Sequence, residues 1–210
     1  MKPWKETEIM ENDATVLYLI RHGQTDANKN MIVMGATDVP LNDTGREQAD
    51  SLGRRLNDLE VDIVYSSPLR RAVDTGRRVF GGEKTFSYDA RLQEFSFGEW
   101  EGMGFDDIAR QYPETWEMWF KDWSRAKIPG AETFTGFMDR VLTCLGEILE
   151  RHKGERVAVI SHGGCIRAIL ASFFSPSLSR GYWQFKIENA ALTEIETRPE
   201  LDVLIRMNYR

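Results

Sequence analysis

The chain has 210 residues, 41% of them hydrophobic, and a formal net charge of -6. That length and apolar content support one buried core with room for a small inserted subdomain. The acidic balance excludes a broad nucleic-acid or anionic-membrane surface while leaving room for a small, locally basic pocket. No apolar stretch is long enough to span a bilayer. Residues 1–14 read as a polar N-terminal tail without the apolar run of a secretory signal. Cys144 and Cys165 stand far apart without metal-ligand spacing, and a cytoplasmic setting is expected.

From there strands and helices alternate. Val16 to Ile20 is a short apolar run that predicts a buried strand, closed by Arg21-His22-Gly23. Asn42, Asp43 and Thr44 are helix-starting residues, and Ala49, Leu52, Leu56 and Leu59 follow at helical spacing, which predicts a helix over 44–59. Ile63 to Tyr65 predicts a second strand, ended by Ser66-Ser67-Pro68. Arg70 to Phe80 reads as a helix stopped by Gly81-Gly82, and Phe86 to Tyr88 as an edge strand. Between about Phe95 and Gly130 the rhythm breaks. This stretch holds four of the 6 Trp and reads as an insertion folded over the carboxyl edge of the sheet. Trp116, Trp119 and Trp123 repeat at helical spacing, so most of them are expected to fasten the insertion to the core, with one or two left for a pocket. Phe134 to His152 predicts a long helix, Val157 to Ser161 a strand, and Cys165 to Phe174 a helix. Ala191 to Glu196 and Val203 to Tyr209 alternate apolar and polar residues, as outer antiparallel strands do. The expected fold is α/β with three α/β/α layers and a mostly parallel central sheet. Residues 15–210 are expected to form a single domain, with a small, largely helical lid insertion at about 95–130.

Two of the 3 His share one context: Ile20-Arg21-His22-Gly23 and Ile160-Ser161-His162-Gly163-Gly164. A buried strand ending this way presents the histidine at the sheet edge where α/β folds bind ligands. Two such ends side by side would set two imidazoles and Arg21 around one anion. A neutral imidazole is a nucleophile toward phosphorus and needs no metal, provided an acceptor holds its other nitrogen. Arg21 can fork onto phosphate oxygens, and Asn28 can add a neutral donor. Arg70 and Arg71 open a predicted helix, where a cation opposes the helix dipole and an anion nearby is expected. Glu94 is flanked by Phe95, Phe97 and Trp100, which can desolvate a carboxyl and raise its pKa as a general acid requires. Gly163 and Gly164 allow backbone to approach an oxyanion, Cys165 reads as packed core, and His152, at a helix end, takes no catalytic role. Lys121, Arg125 and Lys127 read either as a solvated helix face or as a holder for a second acidic group of a substrate. No phosphate-binding G-x-x-x-x-G-K-[ST] loop, no G-x-S-x-G elbow and no metal-spaced cluster occurs, so neither cofactor nor metal is expected.

Taken together, these motifs resemble the histidine phosphatase superfamily, the phosphoglycerate mutase-like group, over about Val16 to Asn189. Arg21-His22-Gly23 with Gly35, Leu41 and Gly45 matches its first block, and Ser67, Arg70 and Thr75 its second. Leu92-Gln93-Glu94 with Phe97 to Gly102 matches the acid-bearing block, in a form similar to the phosphatase branch that includes α-ribazole phosphatases. Ser161-His162-Gly163-Gly164 matches the last. Departures are Gln24 for the commoner Glu, Gly76 for Ala, and Pro129 to Thr133, which only approximates a Gly-Gly-Glu-Ser block. The resemblance implies that His22 is phosphorylated in turnover and that Glu94 donates the proton. Arg21, Arg70 and a protonated His162 would bind the phosphoryl oxygens, helped by Asn28 and the Gly163 backbone. It implies metal-independent hydrolysis of a small phosphomonoester, with mutase-type transfer or a non-catalytic, protein-binding role as alternatives. Neither nucleic acid nor a membrane is expected as partner, and a homodimer is compatible with the resemblance.

Overall fold

Strand side chains alternate between two cores, and this alternation sets the layers. The computed structural model describes residues 14–82 and 84–210, so the polar segment expected at 1–14 lies, apart from Ala14, outside the described residues. β1 (Thr15–Arg21) sends Leu17 and Leu19 into one apolar cluster and Tyr18 and Ile20 into another. All four are buried, as befits a strand covered on both faces. α1 (Asp26–Lys29), α2 (Asp43–Arg55) and α3 (Arg70–Phe80) follow, with β2 (Ile63–Ser66) between the last two. After β3 (Phe86–Tyr88) come α4 (Phe105–Gln111), α5 (Pro113–Asp122) and α6 (Phe134–Arg151). β4 (Arg156–Ser161), α7 (Gly163–Phe174), α8 (Leu178–Gly181), β5 (Leu192–Thr197) and β6 (Asp202–Tyr209) complete the chain. Leu52 and Leu56 at α2 and Ala72 and Val79 of α3 pack with Tyr18 and Ile20 on one face. Val141 and Ile148 of α6 and Ile166 and Ile169 of α7 pack with Leu17 and Leu19 on the other.

The sheet runs β3-β2-β4-β1-β5-β6. Its first four strands are parallel, and β5 and β6 are antiparallel, as the alternating patterns near the end of the chain predict. β2, β4 and β1 are neighbours, and their registers align the carboxyl ends: Arg21 pairs with Ser161, and Ser66 with Ile160. Ser67, His162 and His22 therefore leave the sheet side by side.

Two helix boundaries differ from the expected ones by more than one residue. α2 ends at Arg55 because the Leu56 N–H turns back onto the carbonyls of Gly53 and Leu52, and the chain then sends Leu56 and Val61 into the core. α7 begins at Gly163, earlier than Cys165, because its two glycines hide a helix start in the sequence. The 95–130 stretch shares the main core, to which Trp100, Ile108, Trp123 and Ile128 contribute. Its base closes at Gly98, whose φ of 54° and place against Pro129 suit only glycine, since a Cβ would lie 2.2 Å from the Pro129 carbonyl oxygen. Among the described residues no helix is long and apolar enough to cross a membrane.

Candidate active site

Immediately after β1, the buried His22 ring places Nδ1 2.7 Å from its neighbour's carbonyl oxygen, that of Gly23. A carbonyl only accepts, so the proton sits on Nδ1 and the Nε2 lone pair is free. Burial first, then the charges of Arg21 and Arg71, hold the imidazole pKa well below its ordinary value, and the ring is neutral at pH 7. His162 caps the start of α7, its ring centroid 5.1 Å from that of His22. Its Nε2 lies 2.8 Å from Ser67 Oγ, while its Nδ1 is buried without a hydrogen-bond partner. Burial, followed by Arg71, His22 and Arg21, pushes the His162 pKa well below the usual value. His162 is thus neutral in this site, where a protonated ring was expected.

Arg21 donates from Nη1 to the Ile187 carbonyl at 2.6 Å, and its Nε is buried without a partner. Burial pulls its pKa down to about 10, which leaves it charged at pH 7. Its guanidinium lies against Gly163, where a Cβ would sit 3.4 Å from Nε. Two orphaned buried nitrogens, Arg21 Nε and His162 Nδ1, thus flank the His22 ring. Each costs about 1–3 kcal/mol unless a ligand group pairs with it.

The second arginine corrects the sequence reading. Arg70 is exposed, and its backbone N–H donates to Asp38 Oδ1 at 2.7 Å. The anion expected at that helix start is the protein's own carboxylate. Arg71 is buried, donates to the carbonyls of Thr37 and Gly35 at 2.9 and 2.6 Å, and is the charge felt by both histidines. The structure brings Arg71, not Arg70, to the pocket.

Glu94 is half-buried, and its carboxylate accepts from the backbone N–H of Phe95 and of Gly164, each at 2.9 Å. Phe95 and Trp100 pack into the aromatic core instead of around the carboxyl. The loop bearing Glu94 is clamped from below. Arg140 donates to the carbonyls of Arg91, Gln93 and Glu94 and pairs with Glu132 at 2.6 Å, while Glu132 accepts the Ser96 N–H. Asn28 spends its oxygen on the Thr25 N–H and on Asn189 Nδ2, and Asn189 also donates to the His22 carbonyl at 3.0 Å. Cys165 is packed in the core and its thiol is pushed up by burial. His152 sits between Tyr65 and Glu155, away from the pocket. Lys121, Arg125 and Lys127 are exposed.

The family model for the histidine phosphatase superfamily (branch 1) matches residues 17–210. The chain belongs to the histidine phosphatase superfamily. It is a phosphatase of that superfamily, and its sheet and helices are those of the family fold. A metal-independent phosphoserine phosphatase of Arabidopsis thaliana is 34% identical over 203 residues, 94% of this chain and 82% of that protein. An adenosylcobalamin/α-ribazole phosphatase of Escherichia coli is 29% identical over 92% of this chain and 96% of its own. The crystal structure of the α-ribazole phosphatase of Shigella flexneri superposes with a TM-score of 0.86 at 28% identity, covering 92% of this chain and 96% of that one.

Sequence reasoning chose Arg70 over Arg71, gave Ser67 only as part of a matched block, and missed Asn189, Tyr182 and Arg167. Arg71 had a usable signal: it precedes Thr75 and Val79 at intervals of four, the buried face of α3, whereas Arg70 shares the face of Asp74. The others carry no local signal. Tyr182, buried beside Glu94, has its pKa raised by burial and by that carboxylate, and it meets Glu94 only because α8 folds back along α7.

Proposed function

We propose that the chain hydrolyses small phosphomonoesters without a metal, through a phosphohistidine on His22. The observation carrying this reading is the neutral His22 ring, with Nδ1 pinned to Gly23, Nε2 free, and two unpartnered buried nitrogens beside it. His22 Nε2 attacks phosphorus, the ester oxygen leaves with a proton from Glu94, and a phosphohistidine forms. Glu94 then takes a proton from water, the hydroxide attacks phosphorus, and the P–N bond breaks to restore His22 and release phosphate. Arg21, Arg71 and the Gly163 N–H at the start of α7 stabilise the phosphoryl oxygens. In the tautomer with the proton on Nδ1, Ser67 donates to His162 Nε2 across 2.8 Å and His162 binds an oxygen as a neutral donor until the anion itself favours protonation. Asn28 lies at the edge of this pocket. Residues 95–130 act as the lid that keeps water away until the leaving group has gone. The buried, unpaired Cys144 and Cys165 suit a cytoplasmic setting.

Phosphate release from aryl phosphate, 3-phosphoglycerate and α-ribazole phosphate, with EDTA present, tests this reading. His22→Ala is expected to remove at least about 10⁴-fold of the rate. Release that survives in His22→Ala, or that EDTA abolishes, would overturn it.

A further inference from the structure

Beside the histidine pocket lies a cavity of about 470 Å³ with aromatic walls: Phe97, Trp100, Trp116, Trp119, Phe120 and Trp183. Its volume falls within the roughly 300–1,000 Å³ of small-molecule sites. Among the described residues its polar members are Asn28 and Arg167, and both stand at the catalytic end. Asn28 is tied through Asn189 to the His22 carbonyl. Arg167 lies one turn along α7 from Gly163, and its charge bears on Arg21. The cavity is therefore polar where it meets the reacting centre and apolar beyond.

Three further observations narrow what fits there. Among the described residues no carboxylate lines the cavity, so its wall offers no anion to neutralise the ammonium of an amino-acid ester. The exposed cations Lys121, Arg125 and Lys127 do not line it either, so a second acidic group would find Arg167 alone. The rim leaves large apolar side chains in water: Phe120 is 72% exposed, and Phe105 and Trp183 are each 49% exposed. Such a contiguous apolar rim marks a ligand-binding surface. Arg167 is fixed by its Nε bond to the Phe185 carbonyl, with its guanidinium 5.0 Å over the Trp183 ring, so it extends a flat wall.

We infer that this cavity is the leaving-group subsite, shaped for a phosphomonoester whose alcohol carries a flat, uncharged aromatic group. The inference rests on the phosphatase reading above and narrows its substrate class. Compact charged esters leave the walls uncovered, whereas an aromatic group reached through a short linker packs against the wall that Trp119 and Trp183 form edge to face, their centroids 6.1 Å apart, while the phosphate meets His22.

The test compares ethyl phosphate, O-phosphoserine and 2-(1-naphthyl)ethyl phosphate. All three have alkyl leaving groups, so differences report chiefly on the subsite. The naphthyl ester is expected to exceed ethyl phosphate in kcat/KM by at least about 100-fold, with O-phosphoserine far below the naphthyl ester. Trp183→Ala and Phe120→Ala, both at the exposed rim, should each shrink the naphthyl-to-ethyl ratio by about tenfold. Equal values, or a preference for O-phosphoserine, with release still dependent on His22, would remove the subsite and leave the catalytic reading standing. If none of the three is hydrolysed, the panel of aryl phosphate, 3-phosphoglycerate and α-ribazole phosphate judges the catalytic reading, and calorimetry with the naphthyl ester judges the cavity alone. Saturable binding weakened by Trp183→Ala supports an aromatic site, and no binding eliminates it.

Discussion

Arg70 and Arg71 open α3 side by side, and the helix sends them in different directions. Successive helical positions differ by about 100°, so one faces solvent while the other is buried under Thr37 and Gly35. Chemically they are identical, and only the turn of the helix decides which can meet an anion. Arg71→Ala is therefore expected to lower kcat/KM by about 10²–10³-fold, and Arg70→Ala by less than about tenfold. Arg71→Lys should recover only part of the loss, since a point charge replaces a planar fork. Steady-state kinetics on all three variants checks this, and a larger loss for Arg70→Ala would reverse the assignment. The same scale explains His162. A histidine beside two arginines in a buried site stays neutral, because burial and charge act in one direction.

Glycines show what an element can hide from its sequence. Gly163 and Gly164 begin α7, and a Cβ on Gly164 would lie 2.0 Å from Glu94 Oε1. Gly164→Ala should displace the carboxyl and lower kcat/KM by about 10²-fold. Gly146, exposed on α6 with open space around it, is the counterpart. Gly146→Ala should leave kinetics unchanged and add about 0.5–1 kcal/mol of stability in urea unfolding. Similar activity in the two variants would show that Gly164 does not position the acid. Strands were legible because Leu17, Leu19, Val157 and Val159 alternate with residues that are also buried, giving the continuous apolar runs of a parallel sheet. α3 was legible residue for residue, since Gly81 ends it. The site was legible where a residue adjoins a strand end, as His22 and His162 do. It was illegible where contact depends on long-range packing, as for Asn189 and Tyr182, and where a helix phase had to be chosen, as for Arg71.

For the molecule as a whole, two histidines that refuse protons make stability depend on pH. Their folded pKa values lie well below those of the unfolded chain. The unfolded state alone therefore takes up protons as pH falls past about 6.5, which favours unfolding. Stability should be flat above that pH and drop by about 2–3 kcal/mol between pH 7.5 and 5.5. Urea titrations at the two values measure it, and His22→Gln should lose about half of the drop. Equal or greater stability at pH 5.5 would contradict neutral buried rings. The sheet order carries a different consequence, in time. Of the described strands β1 leaves the ribosome first, yet its two neighbours, β4 and β5, come much later in the sequence, after β2 and β3. At about 5–20 residues per second, roughly seven to twenty-eight seconds of synthesis separate His22 from His162. Throughout that interval His22 exists without its pocket. The site is complete only once β4 lies between β1 and β2, so a chain still lacking β4 carries His22 with no pocket around it.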